Sequence, residues 1–130
     1  MVSDVVDQLR QLHPPASKPP QAMPPGCPRV QVSARTLAAI AKAHDRGAGP
    51  GPSGWNIKMV RALGDGESLD LLAGLVEDIA NGEVPLPTRE WLLAASLVPI
   101  PKGAGGVRPI AVGEVFHKLA GLAASRHEIL

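Results

Sequence analysis

The chain has 130 residues, of which 45% are hydrophobic and 19% charged, and its formal net charge is +1. That length fits one domain or a piece of a larger one, the composition excludes wholesale disorder, and the charge excludes a global attraction to nucleic acid or membrane, so any anion site must be local. One cysteine, Cys27, excludes an internal disulfide and a multi-cysteine zinc site.

In chain order, residues 2–12 put Val2, Val5, Val6, Leu9 and Leu12 on one helical face, with Ser3 as a possible cap, which predicts an N-terminal helix over 1–13. Asp4 and Asp7 in that stretch leave no basic-then-apolar layout, so it does not read as a signal peptide. Residues 14–29 hold half of the 14 prolines and predict an extended, semi-rigid linker, because proline fixes φ and removes a donor. From residue 30 to 130 the pattern is domain-like. Ser33 caps an expected helix with Leu37, Ile40, Ala41 and His44 on one face, stopped by Gly47. The loop "AGPGPSGW" follows, and Ser53 is expected to cap a helix holding Trp55, Met59, Val60 and Leu63. Leu69, Leu72, Leu75, Val76 and Ile79 recur at helical spacing up to Asn81-Gly82, and "PTREWLL" reads as a short turn.

Residues 95–112 read as a β-hairpin, "ASLVPIPK" and "VRPIAV" flanking a glycine-containing turn. Pro99, Pro101 and Pro109 cannot donate to a ladder and confine the strands to a sheet edge or a projecting hairpin. A three-residue loop, Ala104-Gly105-Gly106, with Gly106 at positive φ, is expected to set Lys102 opposite Arg108. Two like charges so placed disfavour the hairpin by up to ~1 kcal/mol, and an anion between them reverses that sign. Equally, the charges can serve only to keep an exposed edge from aggregating. A last helix carries Val115, Leu119, Leu122 and Ala123 on one face. The fold class is therefore α+β, mainly helical, with a projecting antiparallel hairpin.

Among the other side chains, His13, His44, His117 and His127 lack ligand spacing, and no metal site is expected. The longest apolar stretch, "WLLAASLVPIP", is far shorter than the ~20 residues of a spanning helix, so an intracellular, non-membrane protein is expected.

The ordered series "GPSGW" (51–55), "NGEVPLPTREWLLAASLVPIPK" (81–102) and "GGVRPIAVGEVFHKLAG" (105–121) resembles the fingers region of reverse transcriptases, most of all those of non-LTR retrotransposons. The resemblance implies that Lys102 and Arg108 contact the triphosphate of an incoming deoxynucleotide. It implies that Ile110 lies near the templating base and that Gly51, Pro52, Ser53, Gly54 and Trp55 run close to the template. It further implies that Gly105, Gly106, Pro109 and Gly113 shape the hairpin. RNA template, DNA primer and deoxynucleotide triphosphate are then the partners, once a palm is supplied.

The pattern departs from the family in its carboxylates. Polymerases of this kind hold two Mg²⁺ ions on palm aspartates, whereas here only Glu114 and Glu128 follow Arg108, with no Asp-Asp pair and no tyrosine. No catalytic residue and no Mg²⁺ held by this chain alone are therefore expected. The reading is a truncated reverse-transcriptase fingers region, inactive alone, whose partial fingers leave Val115, Leu119 and Leu122 without a packing partner. The alternatives are a stand-alone nucleic-acid or nucleotide binding module and a helical protein-interaction module.

Overall fold

A computed structural model describes residues 2–12, 26–47 and 49–129. Two compact units emerge: Arg29–Ala95 with Val112–Leu130, and Met1–Pro28 with Ser96–Ala111. The class is α+β and mainly helical, with six helices and one two-stranded antiparallel hairpin among the described residues. Most of the proline-rich stretch expected over 14–29 lies outside the described residues, and Gly26–Arg29 carry no regular structure.

The larger unit is a helical cluster. Its chain enters through Val30 and Val32, held in extended form by the end of a later helix. The Val30 N–H donates to Asn81 Oδ1 at 2.9 Å, Asn81 Nδ2 donates to the Val30 carbonyl at 2.8 Å, and the Val32 N–H donates to Glu77 Oε1 at 2.8 Å. Helix α2 (Ala34–Ala43) then starts at Ser33, whose hydroxyl accepts from the Thr36 N–H at 3.1 Å, as expected of a serine N-cap. Leu37, Ile40 and Ala41 are buried at the i, i+3, i+4 positions of one face.

Helix α3 (Ile57–Ala62) begins later than its sequence suggests. Asn56, not Ser53, accepts from the Met59 N–H at 3.1 Å, so Trp55 stands outside the helix. The Ser53 hydroxyl accepts from the Trp55 N–H at 3.2 Å, but Gly54 at φ 84° is not helical, so the helix starts only after Asn56. Helix α4 (Glu67–Ala80) buries Leu69, Ala73 and Val76, and places Glu67 and Asp70 in its first turn, where acids favour the dipole. Asn81 and Gly82 close it, as the spacing predicts.

Residues 87–93, expected as a turn, belong to helix α5 (Leu86–Leu93), entered through Pro85 and with Pro87 in its first turn, where a missing N–H costs nothing. Arg89 braces the entry by donating to the carbonyls of Gly82 and Val84 at 3.0 and 3.2 Å.

Helix α6 (Val115–Ile129) corrects a further expectation. Its apolar face is not left bare: Val115 and Leu119 are buried with Ala120 and Ala123, and Leu122 is half-buried against the same core. Helices α4 and α2 pack on it, and α2 also packs on α3. Each large aliphatic buried this way contributes roughly 1.5–3 kcal/mol.

The smaller unit contains helix α1 (Val2–Leu12), expected over 1–13, of which residues 1 and 13 lie outside the described residues, and the hairpin of β1 (Ala95–Pro101) and β2 (Val107–Gly113), apart from the strands' outermost residues.

Candidate functional site

The hairpin's register follows from one closing bond. The Lys102 N–H donates to the Gly106 carbonyl at 3.2 Å, and the two seven-residue strands match end to end about that pair. Lys102 thus faces Gly106, and Arg108 faces Ile100. The loop is three residues long, as expected, but it is Gly103-Ala104-Gly105 rather than Ala104-Gly105-Gly106. Gly105 supplies the left-handed residue at φ 77°, and Gly106, at φ 98°, follows it immediately before β2.

Lys102 and Arg108 are therefore diagonal neighbours, not opposite ones. Ile100, which faces Arg108, stands two residues before Lys102, so the strand alternation continued one residue past β1 carries Lys102 onto the face of Arg108, roughly 7–8 Å away at the backbone. The alternation is visible in β2: Val107 and Pro109 are half-buried, while Arg108 and Ile110 are exposed. The offset lowers the like-charge repulsion and suits an anion spread over several atoms better than a point anion. Neither side chain has an ion pair or hydrogen bond among the described residues. Val98, Ile100 and Ile110, all about 40% exposed, share that face.

The second segment, Gly51–Trp55, belongs to the helical unit. It is a tight turn, with the Gly54 N–H donating to the Gly51 carbonyl at 3.1 Å. Its anchor is Glu114, the residue before α6, only 4% exposed. One carboxylate oxygen accepts from the Ser53 N–H and the other from the Ser53 hydroxyl, both at 2.6 Å. Gly51 lies against the backbone of Gly113, the last residue of β2: a Cβ there would stand 2.5 Å from the Gly113 carbonyl oxygen. Trp55 rests on Phe116 with ring centroids 5.8 Å apart. Pro52, Ser53, Gly54 and Trp55 are exposed.

Gly51, Ser53, Trp55 and Gly113 are thus brought together around Glu114, whereas Lys102, Arg108, Ile110, Pro109, Gly105 and Gly106 lie on the hairpin. Sequence reasoning names Glu114 only as one of the two glutamates that follow Arg108. An acid directly before an apolar helix and a serine in a Gly-Pro loop were the available signals, but nothing in a separation of 61 residues joins them.

A pair of Mg²⁺ ions does not fit these residues. Among the described residues no three His, Cys, Asp or Glu side chains gather at a metal-binding spacing, and Glu114 has both oxygens on Ser53. No described helix is long and apolar enough to cross a membrane.

Compared with known proteins, the chain is 37% identical over 93 residues, 70% of its length, to the 132 kDa protein of the SLACS retrotransposable element of Trypanosoma brucei gambiense. It spans 8% of that protein's length. The likeness supports a retroelement-related origin. No protein-family model matches the chain, and no solved structure matches it.

Proposed function

We propose that this chain is the fingers segment of a reverse transcriptase and that its hairpin holds the triphosphate of an incoming deoxynucleotide between Lys102 and Arg108. The observation that carries the reading is two cations flanking a glycine-containing turn, set on one face by the strand register, without a carboxylate partner among the described residues. Kinship to a retrotransposon protein over most of the chain supports it. Arginine contributes a planar fork matched to phosphate oxygens and lysine a compact charge, so the pair suits a polyanion with distinct groups along its length. Ile110 sits two residues beyond Arg108 on the same face, within reach of a base joined to that triphosphate. The Gly51–Trp55 turn, held rigid by Glu114, is the template-proximal segment in this reading.

The chain's role is binding and orientation. Phosphoryl transfer needs metal-holding carboxylates that these residues do not supply.

Equilibrium binding of dTTP, and separately of an RNA–DNA hybrid with a single-stranded template overhang, tests the proposal. Affinity for dTTP is expected to fall steeply with salt, and Lys102→Ala/Arg108→Ala to weaken it at least about tenfold, ~1.4 kcal/mol. Equal binding by the double variant and the parent would falsify the assignment.

A further inference from the structure

Away from the hairpin and its proposed ligand, the helical unit carries two surfaces of opposite sign. Between α2, the end of α3 and the start of α4 runs a groove in two joined halves of about 260 and 190 Å³, both lined by Ala38, Asp65 and Leu69. Its lining is mostly apolar. Arg35 and Lys42 stand on its α2 rim, seven residues and so ~10.5 Å apart along the helix. Neither has an ion-pair partner among the described residues, and Arg61, also at the rim, is paired with Asp45 at 2.6 Å. Asp65 is the one acid in the lining.

The outer side of α4 presents the complement. Glu67, Leu71, Gly74 and Asp78 recur at i, i+4, i+7 and i+11, a straight exposed stripe along the helix. Leu71 is 70% exposed at its middle, and Asp70 adds a third acid beside it. Asp70 and Asp78 are ~12 Å apart along the axis, close to the Arg35–Lys42 interval.

We infer that the α4 stripe of one copy docks into the α2–α3 groove of another, Leu71 entering the apolar floor while Asp70 and Asp78 meet Arg35 and Lys42. A net charge of +1 leaves little global repulsion to oppose it. The two surfaces differ, so the contact is heterologous and propagates head to tail. Nucleic acid is the poorer occupant, because the groove lining has no aromatic residue for a base to stack on.

Sedimentation velocity across protein concentration and salt tests the contact. Wild type is expected to associate at low salt and to dissociate by at least tenfold in affinity at high salt. Arg35→Glu/Lys42→Glu keeps the stripe and loses the groove; Leu71→Lys/Asp78→Lys does the reverse. All four positions are exposed, and far-UV circular dichroism checks that both variants fold. Each alone is expected to be monomeric, and their mixture to form a one-to-one complex that grows no further. A wild type monomeric up to about 1 mM overturns the inference. So does self-association unchanged in Arg35→Glu/Lys42→Glu, or a dT20 oligonucleotide binding this groove of a monomeric chain.

Discussion

At the scale of single residues, Glu114 and Arg29 show two kinds of charge at work. The Glu114 carboxylate is buried and accepts from two donors of the exposed Ser53. Glu114→Ala is expected to cost about 1–3 kcal/mol in chemical denaturation, since it removes two hydrogen bonds to a charged acceptor and with them the tie between the turn and α6. Gly51→Ala should lose a comparable amount, because its Cβ would meet backbone, which does not yield as a side-chain tip does. A denaturation midpoint unmoved by either change contradicts the clasp. Arg29 and Glu83 form a paired fork at the surface, half-exposed, with Glu77 3.7 Å from the same guanidinium. Its hydrogen bond and charge hold the Glu83 carboxyl below its ordinary value of 4.5 and raise Arg29. A carboxylate lowered in the folded state stabilises it above the unfolded value, and that contribution fades as pH falls through the lowered one. Following the Glu83 side-chain resonance through an acid titration should place its midpoint below 4.5, with Arg29→Ala moving it back up; an unchanged midpoint in the variant counts against the pairing. None of these long-range pairs was legible beforehand, since residue type announces a charge but not its partner.

At the scale of elements, the hairpin's prolines are informative. With Lys102 bonded to Gly106, hydrogen-bonded sites in both strands carry even numbers, and Pro99, Pro101 and Pro109 all fall on odd ones. Their nitrogens point outward from the ribbon, so each outer edge lacks donors at the places where another strand would add. Restoring those donors with Pro99→Thr/Pro101→Thr/Pro109→Thr should leave the hairpin paired and raise light scattering on concentration; scattering equal to the parent's dismisses the edge-blocking role. The same parity explains what the sequence could and could not specify. Prolines at 99, 101 and 109 exclude any register that puts one of them on a bonded site. They do not choose among the even registers, and consecutive glycines at 105 and 106 let the turn settle one residue earlier than expected. Helix α2 and the C-terminal end of α4 were legible through Ser33 and Asn81-Gly82. The start of α3 was not, because Ser53 and Asn56 are both good caps, and the left-handed Gly54 that decides between them belongs to a turn anchored by a residue 61 positions away.

At the scale of the whole molecule, the buried cluster from Val32 to Ala123 draws every member from Arg29–Ala95 and Val112–Leu130, and none from the hairpin. Periodicity identified the apolar face of α6, but it carries no information about what covers that face. The expectation of a missing partner came from the resemblance and gave way once α4 and α2 were seen to pack there. The helical unit should then fold without Ser96–Ala111. Ala95 and Val112 lie on adjacent strands, ~4.8 Å apart in the pairing direction, so a Gly-Asn-Gly turn can join them. The shortened chain is expected to keep its helical circular dichroism and a cooperative melt. In that background Leu119→Ala should cost about 2–5 kcal/mol, because Leu119 is fully buried where α6 meets its neighbours. Trp91→Ala, at a side chain 79% exposed on α5, should move stability by less than about 0.5 kcal/mol. Loss of the cooperative melt on shortening would mean that the hairpin supports the core. Equal effects of the Leu119 and Trp91 changes would mean that the core is not where these helices place it.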